Sequence, residues 1–555
     1  MTVRVQLPDL EHWKSQVKCQ AGCPVKTDAG RYVQLIAEGR DEDAFLVARA
    51  PNPFASVCGR VCAAPCEDAC RRGNIDAPIS IRALKRYVTE QYGVESRRPD
   101  TQDRLREQPI LEGNLYRGHL PVAPLSGRGA GPRRKVAVIG AGPAGMSAAH
   151  DLALLGYDVT VFDASAEPGG MMRFGIPEYR LPRSLIHEEI QKIVSLGVTL
   201  RSGVALTESY GLAELRRDGF LSVFLSVGVS KGRDLQVPGV ELDGVVKAVD
   251  YLLNVNRGYR MNLGRRVVVI GGGFVAFDAA RTALRLGREE ETAELAGETD
   301  ARMKEAFDSA RAALRGGATE VTIVSLESFA EMPVLQTTQG HEEFEESKKE
   351  GVAFLPRRGP KRFLGDPHSG ASGRLHQIEL RGVLSVFDEN GRFSPKYDES
   401  KLTTLDCDLV ILAIGQETEF PFDPKGQAVP VSKNGLIEVI KGKKTATKAP
   451  MVFAGGDVVT GPDTVVNAIA AGHHAANEMD QAMRLKNGEA FSAPPEEEIQ
   501  IPTMIDEEIH EAERACTLEA DCAERISDFR EVELGLSKED AFKESCRCLR
   551  CDAKA

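Results

Sequence analysis

Two stretches of this chain share one unusual pattern, in which an apolar run leads into closely spaced small residues. They are KVAVIGAGPAG at residues 135–145 and RVVVIGGGFVA at residues 266–276. The pattern predicts a buried strand, a tight glycine turn and the start of a helix. Such a turn lets the backbone approach a pyrophosphate, and the helix N-terminus faces the phosphate charge. The chain is therefore expected to contain two separate dinucleotide sites on α/β domains.

Composition narrows the class of protein further. The chain has 555 residues, which is enough for about three or four domains of about 150 residues each. Its net charge of −12 argues against a nucleic-acid surface, because such a surface needs a basic patch. No apolar run approaches the roughly 18 residues of a membrane-spanning helix. Residues 1–11 also lack the apolar core of a secretion signal, so a cytoplasmic location is expected.

Composition and predicted elements divide the chain into four parts. Residues 1–95 are helical in pattern and rich in cysteine, and residues 96–132 form a linker rich in Arg, Pro and Gly. Residues 133–485 contain both fingerprints and a charged insert at 287–317. Residues 486–555 form a charged tail that ends in SCRCLRC.

Each fingerprint supplies candidate binding residues. The turn residues are Gly140, Gly142 and Gly145 in the first fingerprint and Gly271, Gly273 and Ala276 in the second. Alanine at the third position is allowed, because that position only packs the helix on the strand. Asp163 stands at the end of the strand predicted after the first turn, where a carboxylate accepts hydrogen bonds from an adenosine ribose. The strand, helix and acidic residue together predict a dinucleotide site rather than a plain turn.

The cysteines form a second pattern. Closely spaced cysteines in a reducing compartment are typical of metal or redox sites rather than disulfides. The candidate ligands are Cys19, Cys23, Cys58, Cys62, Cys66 and Cys70 near the N-terminus and Cys548 and Cys551 in the tail. Short thiolate repeats, with a proline after Cys23, favour [4Fe–4S] clusters, and zinc is the other metal interpretation. The remaining cysteines lack such spacing and are interpreted as non-ligands, with Cys546 ambiguous.

Residues 135–182, which end in EPGGMMRFGIPEYRLP, closely resemble the small (beta) subunit of bacterial glutamate synthase. They are also similar to the flavin-containing part of dihydropyrimidine dehydrogenase, and the resemblance extends from about Cys19 to Met479. It implies that the first fingerprint binds FAD, with the segment after Gly169 passing the flavin ring. It also implies that FAGGD at 453–457 is a second FAD signature. The further FAD residues that it implies are Gly170, Arg173, Gly456, Asp457, Thr464 and Val465.

The resemblance implies that the second fingerprint binds a nicotinamide dinucleotide. It also implies that the α/β domain of this fingerprint, expected at 246–404, is inserted into the FAD domain, expected at 133–245 and 405–485. The family places two arginines before Glu-Met-Pro to hold the 2′-phosphate of NADPH, whereas this chain has Leu326 and Glu327 there. A carboxylate accepts the ribose 2′-OH of NADH and repels a 2′-phosphate. We therefore expect a preference for NADH over NADPH. The alternative is that Glu327 faces solvent while Arg357 or Arg358 contacts the phosphate.

The resemblance also implies a two-cluster N-terminal domain, from which this chain departs. Glu11 and Lys14 lie near the places where the family has an upstream cysteine pair, and Lys85 stands where it often has a Glu or Gln ligand. The two tail cysteines restore the eight thiolates that two [4Fe–4S] clusters need. The hypothesis assigns Cys19, Cys70, Cys548 and Cys551 to one cluster and Cys23, Cys58, Cys62 and Cys66 to the other. The alternative is one N-terminal cluster, with the tail cysteines free or reaching a partner subunit.

The expected fold is α/β, with a helical N-terminal iron–sulfur domain followed by two Rossmann-like domains, the NAD domain being inserted in the FAD domain. The resemblance implies a FAD and iron–sulfur oxidoreductase subunit, and the departure at Glu327 predicts that it depends on NADH. No catalytic side chain is expected, because the cofactors carry the hydride chemistry. His473 and His474 are accordingly interpreted as structural or flavin-lining.

The expected partner is another redox subunit, similar to the glutamate synthase large subunit, to a hydrogenase or to an aldehyde- or formate-oxidising enzyme. Two alternatives remain at this stage. One is a genuine NADPH-dependent glutamate synthase small subunit, and the other is an assembly or regulatory subunit without a redox role.

Overall fold

A computed structural model describes residues 17–96, 134–259, 261–295, 318–366, 373–423, 428–489 and 510–551. The predicted linker at 96–132 and most of the charged insert at 287–317 lie outside these residues, as do Glu11 and Lys14. The helices, numbered in chain order α1 to α17, are Lys18–Gly22, Ala29–Ala37, Asp41–Arg49, Ala55–Val61, Pro65–Asp68, Ile81–Tyr92, Pro143–Leu154, Met171–Phe174, Arg183–Val194, Leu212–Arg217, Ala248–Asn256, Phe274–Leu295, Thr338–Lys349, Asp457–Thr460, Val465–Lys486, Cys522–Arg525 and Lys538–Cys546.

Most of the described strands belong to α/β units. The strands, numbered β1 to β17, are Lys135–Ile139, Asp158–Asp163, Thr199–Ser202, Ser222–Leu225, Lys231–Gly232, Val245–Lys247, Arg266–Ile270, Glu320–Val324, Ala353–Leu355, Arg358–Gly365, Leu375–Phe387, Phe393–Asp406, Leu409–Leu412, Gln416–Glu417, Val452–Ala454, Leu518–Glu519 and Glu533–Gly535. Short 3₁₀ turns occur at Arg71–Asn74, Val94–Ser96 and Pro333–Gln336.

The first α/β domain is built on a parallel five-stranded sheet with the order β15-β4-β1-β2-β3. Strand β1 lies at its centre, paired with β2 and β4, and four of its five residues are buried. Helices α7 and α15 pack on each other and on this sheet, and together they supply much of its core. This order places the first glycine turn, which follows β1, in the middle of the sheet's carboxyl edge. That edge is where ligands bind in doubly wound sheets.

The second α/β domain repeats the plan with the parallel order β6-β13-β7-β8-β9. Strand β7, which leads into the second glycine turn, is again central. The antiparallel strands β10, β11 and β12 form a separate three-stranded sheet within this domain. The predicted α/β fold with two Rossmann-like units is thereby confirmed. None of the described helices is both long and apolar enough to cross a membrane.

One predicted domain boundary differs from the structure. The return to the first domain was expected at residue 405, but β13 pairs with β6 and β7 of the second sheet. All four residues of β13 are buried, and its neighbours in the second sheet are equally apolar. The second domain therefore extends through Leu412, and the chain re-enters the first domain only afterwards. Cys407, just before β13, is fully buried, as a core cysteine should be.

The N-terminal domain consists of helices α1 to α6 and shares a core with the first α/β domain. Asp28 caps α2 by accepting a hydrogen bond from the Arg31 N–H at 3.1 Å, as its position before an apolar run predicts. Phe54 and Val57 pack into the same apolar cluster as α7 and α15. The N-terminal helices are thus held directly against the domain that carries the first fingerprint.

The tail makes contacts that its charged composition does not predict. Residues 510–551 pack against all three preceding domains. Arg525 is 1% exposed and forms ion pairs with Glu346 and Glu350 of the second α/β domain. The Val532 N–H donates to the Tyr179 carbonyl of the first α/β domain at 3.0 Å. Glu544, at the end of this path, accepts a hydrogen bond from the Ser80 N–H of the N-terminal domain at 2.8 Å.

Candidate cofactor and cluster sites

The first glycine turn has no room for side chains. Gly140 has φ of +103°, and a Cβ placed on it would lie 2.4 Å from the Ser226 carbonyl oxygen. A Cβ on Gly145 would lie 1.9 Å from the Gly140 carbonyl oxygen, because α7 begins directly against the turn. Both glycines are therefore required by sterics, as the fingerprint predicts.

Asp163 lies beside this turn. Its carboxylate accepts hydrogen bonds from the Ala141 N–H at 2.6 Å and from the Ser165 N–H at 2.7 Å. Burial nevertheless raises the pKa of Asp163 above its usual range. An aspartate at the end of β2, fixed against the glycine turn, is placed to accept the hydroxyls of a bound adenosine ribose.

Two glycines from separate segments form a backbone cradle beside the turn. A Cβ on Gly170 would lie 2.9 Å from the Gly142 Cα, so the two backbones are in contact. Arg173 stabilises this loop, because its Nε donates a hydrogen bond to the Pro168 carbonyl at 2.8 Å. Arg173 is buried, and its described contacts lie within its own loop. The structure thus places Gly170 at the predicted site and gives Arg173 a supporting position.

The second predicted flavin signature comes to the same place from the far end of the chain. A Cβ on Gly456 would lie 3.0 Å from the Ala144 Cβ in the first turn of α7. Asp457 follows immediately, and burial, then repulsion from Asp463, raise its pKa to about 7 despite a backbone hydrogen bond from Asp463. A buried carboxylate with so little compensation fits a site where ligand hydroxyls supply the missing hydrogen bonds.

Helix α15 begins next to this carboxylate. Thr464 caps the helix by accepting the Asn467 N–H at 3.4 Å, and Val465 is its first residue. Its N-terminus offers free N–H groups and a partial positive charge close to the glycine cradle. The predicted FAD residues therefore meet at one end of the first sheet, and their chemistry fits a flavin dinucleotide.

The second glycine turn is equally constrained but faces open space. Gly271 has φ of +148°, and a Cβ on it would lie 2.4 Å from the Ala413 carbonyl oxygen. Ala276 is fully buried, where it packs α12 on the sheet. A Cβ on Gly273 would find no atom within 4 Å, so space for a ligand exists directly in front of the turn.

Glu327 faces this second turn and not the solvent. Its carboxylate accepts a hydrogen bond from the Ser325 hydroxyl. A Cβ on Gly272 would lie 3.1 Å from the Glu327 Oε2. The residue thus takes the same place beside the second turn that Asp163 takes beside the first.

The two arginines considered as alternative phosphate contacts are engaged with other groups. Arg357 forms an ion pair with Glu331 at 2.7 Å. Arg358 donates to the Arg357 carbonyl at 3.0 Å and, more weakly, to the Thr403 hydroxyl. The carboxylate of Glu327 therefore lies beside the second turn, together with the Ser325 hydroxyl.

Four of the N-terminal cysteines surround one cavity. We call it the inner cavity, and its cysteines are Cys23, Cys58, Cys62 and Cys66. Val466, in the first turn of α15, also lines this cavity, so it adjoins the predicted flavin site. Lys85 from α6 lines it as well. These are the four cysteines that the sequence analysis assigned to one cluster.

The other four cysteines surround a second cavity, the outer cavity. Its cysteines are Cys19, Cys70, Cys548 and Cys551. Ala29 and Ile81 line both cavities, so the two sites are neighbours. The tail therefore reaches the N-terminal domain and completes the second group of four thiols.

Ion pairs hold the tail cysteines in place. Arg547, one residue before Cys548, pairs with Asp76 at 2.9 Å and with Glu544 at 2.7 Å. Arg72 adds a hydrogen bond to the Arg547 carbonyl at 3.2 Å. All of these side chains are largely buried, so the contacts are sheltered from solvent screening. Buried ion pairs and a hydrogen bond therefore fix the position of the tail cysteines at the outer cavity.

The thiols of the inner cavity differ in acidity, because a hydrogen bond with Cys62 and burial raise the pKa of Cys58, and burial raises the pKa of Cys66. A hydrogen bond with Cys58 lowers the pKa of Cys62, and the charge of Lys85 and the Ala64 N–H act in the same direction. Among the described residues, no three His, Cys, Asp or Glu side chains converge on a point that would hold a single metal ion. The thiols are instead spread around two cavities, and an iron–sulfur cubane takes one thiolate at each of its four irons.

His473 has a structural position. Its ring nitrogens contact the Asp151 carboxylate at 2.5 Å and the Pro51 carbonyl at 2.9 Å. Pro51 belongs to the N-terminal domain, so His473 fastens the two domains together. Burial opposes its charge, but Asp151 more than offsets this and raises the pKa of His473. This contact agrees with the structural interpretation of His473.

Sequence reasoning missed two features of these sites. The first is the set of tail contacts, because ion pairs between residues more than 400 positions apart leave no local pattern. The second is the place of Lys85, which was noted only as a residue unable to ligate iron. Its position, one helical turn beyond Arg82 in a helix that faces the cysteines, was the available signal.

Two family models match different parts of this chain. Residues 134–472 match the family model described as pyridine nucleotide-disulphide oxidoreductase. Residues 14–96 match the model described as dihydropyrimidine dehydrogenase domain II, 4Fe-4S cluster. Because these matches cover the glycine turns and all the N-terminal cysteines, they agree with the sites found in the structure.

Several characterised proteins are similar over most of the chain. The NADP(+)-dependent formate dehydrogenase subunit beta of Moorella thermoacetica is 34% identical over 96% of this chain and 70% of its own length. The NADPH-Fe(3+) oxidoreductase subunit beta of Geobacter sulfurreducens is 31% identical over 97% and 75%, respectively. The glutamate synthase [NADPH] small chain of Azospirillum brasilense is 30% identical over 82% and 84%.

Solved structures support the fold. FprA of Mycobacterium tuberculosis, solved in complex with NADPH, aligns with a TM-score of 0.50 and 20% identity. The alignment covers 65% of this chain and 87% of that protein. The arrangement of two Rossmann-like domains is therefore shared.

Proposed function

Because this chain belongs to the pyridine nucleotide-disulphide oxidoreductase family, we propose that it is the NADH-oxidising electron-transfer subunit of a larger redox enzyme. It is a flavin- and iron–sulfur-dependent oxidoreductase, with domains for FAD, a nicotinamide dinucleotide and a [4Fe–4S] cluster. The proposal adds three specific points to this description. They are the choice of NADH, the presence of two clusters and the transfer of electrons to a partner subunit.

The observation that carries the proposal is the order of the sites in space. The glycine cradle and Asp457 lie at the start of α15, and Val466 of that helix lines the inner cavity. The inner cavity shares Ala29 and Ile81 with the outer cavity. The outer cavity contains Lys18, which is exposed, so this last site lies next to the molecular surface. Such an arrangement suits electron transfer from a buried dinucleotide site toward a partner.

The residues of the first site would hold FAD in the following way. Asp163 would accept the ribose hydroxyls, the backbone of Gly142 and Gly170 would approach the pyrophosphate, and Asp457 would bind hydroxyls of the ribityl chain. Bound FAD supplies the exchange between a two-electron nicotinamide and one-electron clusters. The protein's own contribution is to align the two dinucleotides and to exclude water by burial.

The two cavities would each hold one [4Fe–4S] cluster, with four thiolates each. The grouping rests on the cavity-lining cysteines and on the tail contacts that fix Cys548 and Cys551. Lys85, although it lines the inner cavity, would not be an iron ligand, because a protonated ammonium has no lone pair. The four thiols of that cavity complete the ligand set without it.

NADH is favoured by the position of Glu327. The carboxylate lies beside the open space in front of Gly273 and would accept the 2′-OH of NADH. A 2′-phosphate at the same place would be repelled. The similar formate dehydrogenase, iron(III) reductase and glutamate synthase subunits are named for NADP or NADPH, which favours the opposite choice. NADPH dependence is therefore the second candidate.

The experiment that tests the proposal is anaerobic flavin reduction followed by absorbance. Purified protein is mixed with NADH or NADPH at equal concentration, and the initial rates are compared. We expect faster reduction by NADH. Faster reduction by NADPH would overturn the NADH assignment, and no bleaching with either donor would overturn the electron-transfer function itself.

The partner is proposed to be another redox subunit, such as a formate-oxidising, hydrogenase-like or glutamate synthase large subunit. The three relatives named above are all single subunits of larger enzymes by their names. Purification of the native complex and identification of its other chains tests this point. Isolation only as a single chain that reduces a small-molecule acceptor without a second subunit would contradict it.

A further inference from the structure

Lys85 is a buried lysine with no carboxylate partner in the part of the chain that the structure describes. It lies in α6 and is 8% exposed. Among the described residues, its ammonium forms neither a hydrogen bond nor an ion pair with a carboxylate. Moving an ammonium out of water costs several kcal/mol unless an anion compensates it. A negatively charged group in the neighbouring cavity would supply this compensation.

The other cation at the inner cavity is already satisfied. Arg82, one turn earlier on α6, pairs with Glu533 at 2.9 Å and with Glu342 at 3.2 Å. It also donates to the Arg60 carbonyl at 2.8 Å. Its charge is therefore largely neutralised by the tail and by the second α/β domain. Lys85 is left as the uncompensated charge that faces the cavity.

The groups opposite Lys85 are thiols. Cys58, Cys62 and Cys66 line the same cavity as Lys85. Four thiolates around an iron–sulfur cubane carry a net negative charge, and one further negative charge is added on reduction. A fixed cation beside the site therefore stabilises the reduced state more than the oxidised state.

We propose that Lys85 raises the reduction potential of the cluster in the inner cavity. The inference rests on the proposed iron–sulfur function. The ammonium of Lys85 acts on the cluster through its charge and does not ligate iron. Its effect should be largest at the inner site, because Lys85 lines the inner cavity and does not line the outer one.

The test is a redox titration of the purified, cluster-containing protein, followed by electron paramagnetic resonance. Lys85→Met removes the charge and keeps most of the side-chain volume. We expect the equilibrium constant for reduction of one cluster to fall about tenfold or more, which is about 59 mV for a one-electron couple. Lys85→Arg keeps the charge and should restore most of the potential. The matched control Lys18→Met removes an exposed lysine at the outer cavity and should leave the inner potential unchanged.

The affected cluster can be identified in a double variant. Cys548→Ser with Cys551→Ser removes two proposed ligands of the outer cluster and leaves the inner set intact. In this background Lys85→Met should shift the remaining signal by the same amount. A shift that appears only when the tail cysteines are present would contradict the assignment of Lys85 to the inner site.

Iron and flavin content separate this inference from the function on which it rests. If the wild-type protein has both clusters and NADH reduces it, equal potentials in Lys85→Met and wild type overturn the role of Lys85 alone. If Lys85→Met loses iron, the iron contents of Lys85→Gln and Lys85→Arg distinguish an effect of the charge from an effect of packing. Iron retained only with Arg supports the charge, whereas iron lost from all three variants shows that Lys85 serves packing. A wild-type protein without iron would instead defeat the proposed function.

Discussion

At the scale of single residues, the two strand-end carboxylates are the most informative pair in this molecule. Asp163 and Glu327 each follow the strand next to a fingerprint strand, and each turns its carboxylate to a glycine turn. Asp163 is held by two backbone N–H groups, whereas Glu327 is held by the Ser325 hydroxyl. This shared geometry is why the second carboxylate is expected to bind a ribose.

Glu327→Arg should reverse the choice of nicotinamide. The substitution removes an acceptor for the 2′-OH and introduces a partner for a 2′-phosphate. The loss of a charge-assisted hydrogen bond costs about 1.5–3 kcal/mol, so kcat/KM for NADH should fall by about tenfold to a hundredfold. The value for NADPH should rise. The control is Glu320→Gln, an exposed carboxylate at the start of β8, which should leave the ratio unchanged. If Glu327→Arg leaves the ratio of kcat/KM for NADH and NADPH unchanged, Glu327 does not determine the choice of nicotinamide.

Asp457 gives the flavin-free protein a predictable dependence on pH. Its pKa in the folded chain is about 7, above the value of about 4 for an exposed aspartate. The folded state therefore holds this proton more tightly, and the resulting stability is present below about pH 4 and is lost as pH rises to about 7. The stability of Asp457→Asn does not fall over this pH range, because asparagine has no carboxyl group that titrates. The variant should therefore gain about 2–4 kcal/mol relative to wild type between pH 4 and 8.

Chemical unfolding of both flavin-free proteins at a series of pH values measures this difference. Asp463→Asn is the matched control, since it removes the neighbouring charge that also raises the pKa and should reduce the dependence without abolishing it. A wild-type minus variant difference that is constant from pH 4 to 8 would show that the Asp457 carboxylate is not buried in the unliganded site.

At the scale of elements, local patterns predicted some segments well and others poorly. The strand that follows the first glycine turn was predicted with its correct end at Asp163. The sheet to which β13 belongs was predicted wrongly. A short apolar strand fits any parallel sheet, and its partner is chosen by tertiary packing, which no local pattern encodes.

The division of the cysteines into two groups could be predicted because spacing and number limit the choices. The structure brings together the same two groups of four that the hypothesis named. What holds the tail there could not be predicted. The ion pairs of Arg525 and Arg547 join distant segments, and charged residues in a sequence indicate solvent exposure unless their partners are known.

Removal of the tail thiols tests the role of this element. In Cys548→Ser with Cys551→Ser, the outer cavity keeps two cysteines and should lose its cluster. Iron per chain should then fall from about eight to about four atoms in anaerobically purified protein. Cys516→Ser with Cys546→Ser replaces two exposed tail cysteines that lie outside both cavities and should leave the iron content unchanged. Equal iron in the two double variants would contradict the ligand assignment.

At the scale of the whole molecule, buried polar contacts fix the N-terminal domain to the first α/β domain. Glu189 accepts hydrogen bonds from the Ser56 and Val57 N–H groups at 3.0 and 3.3 Å, and so caps helix α4 from the neighbouring domain. His473 adds its contact to the Pro51 carbonyl. These contacts keep the inner cavity next to α15. The tail then ties the second α/β domain to the same assembly through Arg525.

The proposed flavin and two clusters would together take up a defined number of electrons per chain. The most direct measurement is an anaerobic titration with NADH, combined with iron and flavin analysis of the same sample. We expect about eight irons and one flavin per chain, and uptake of about four electrons, two by the flavin and one by each cluster. About four irons with uptake of about three electrons would contradict the two-cluster path, and a flavin that NADH does not reduce would contradict the proposed function.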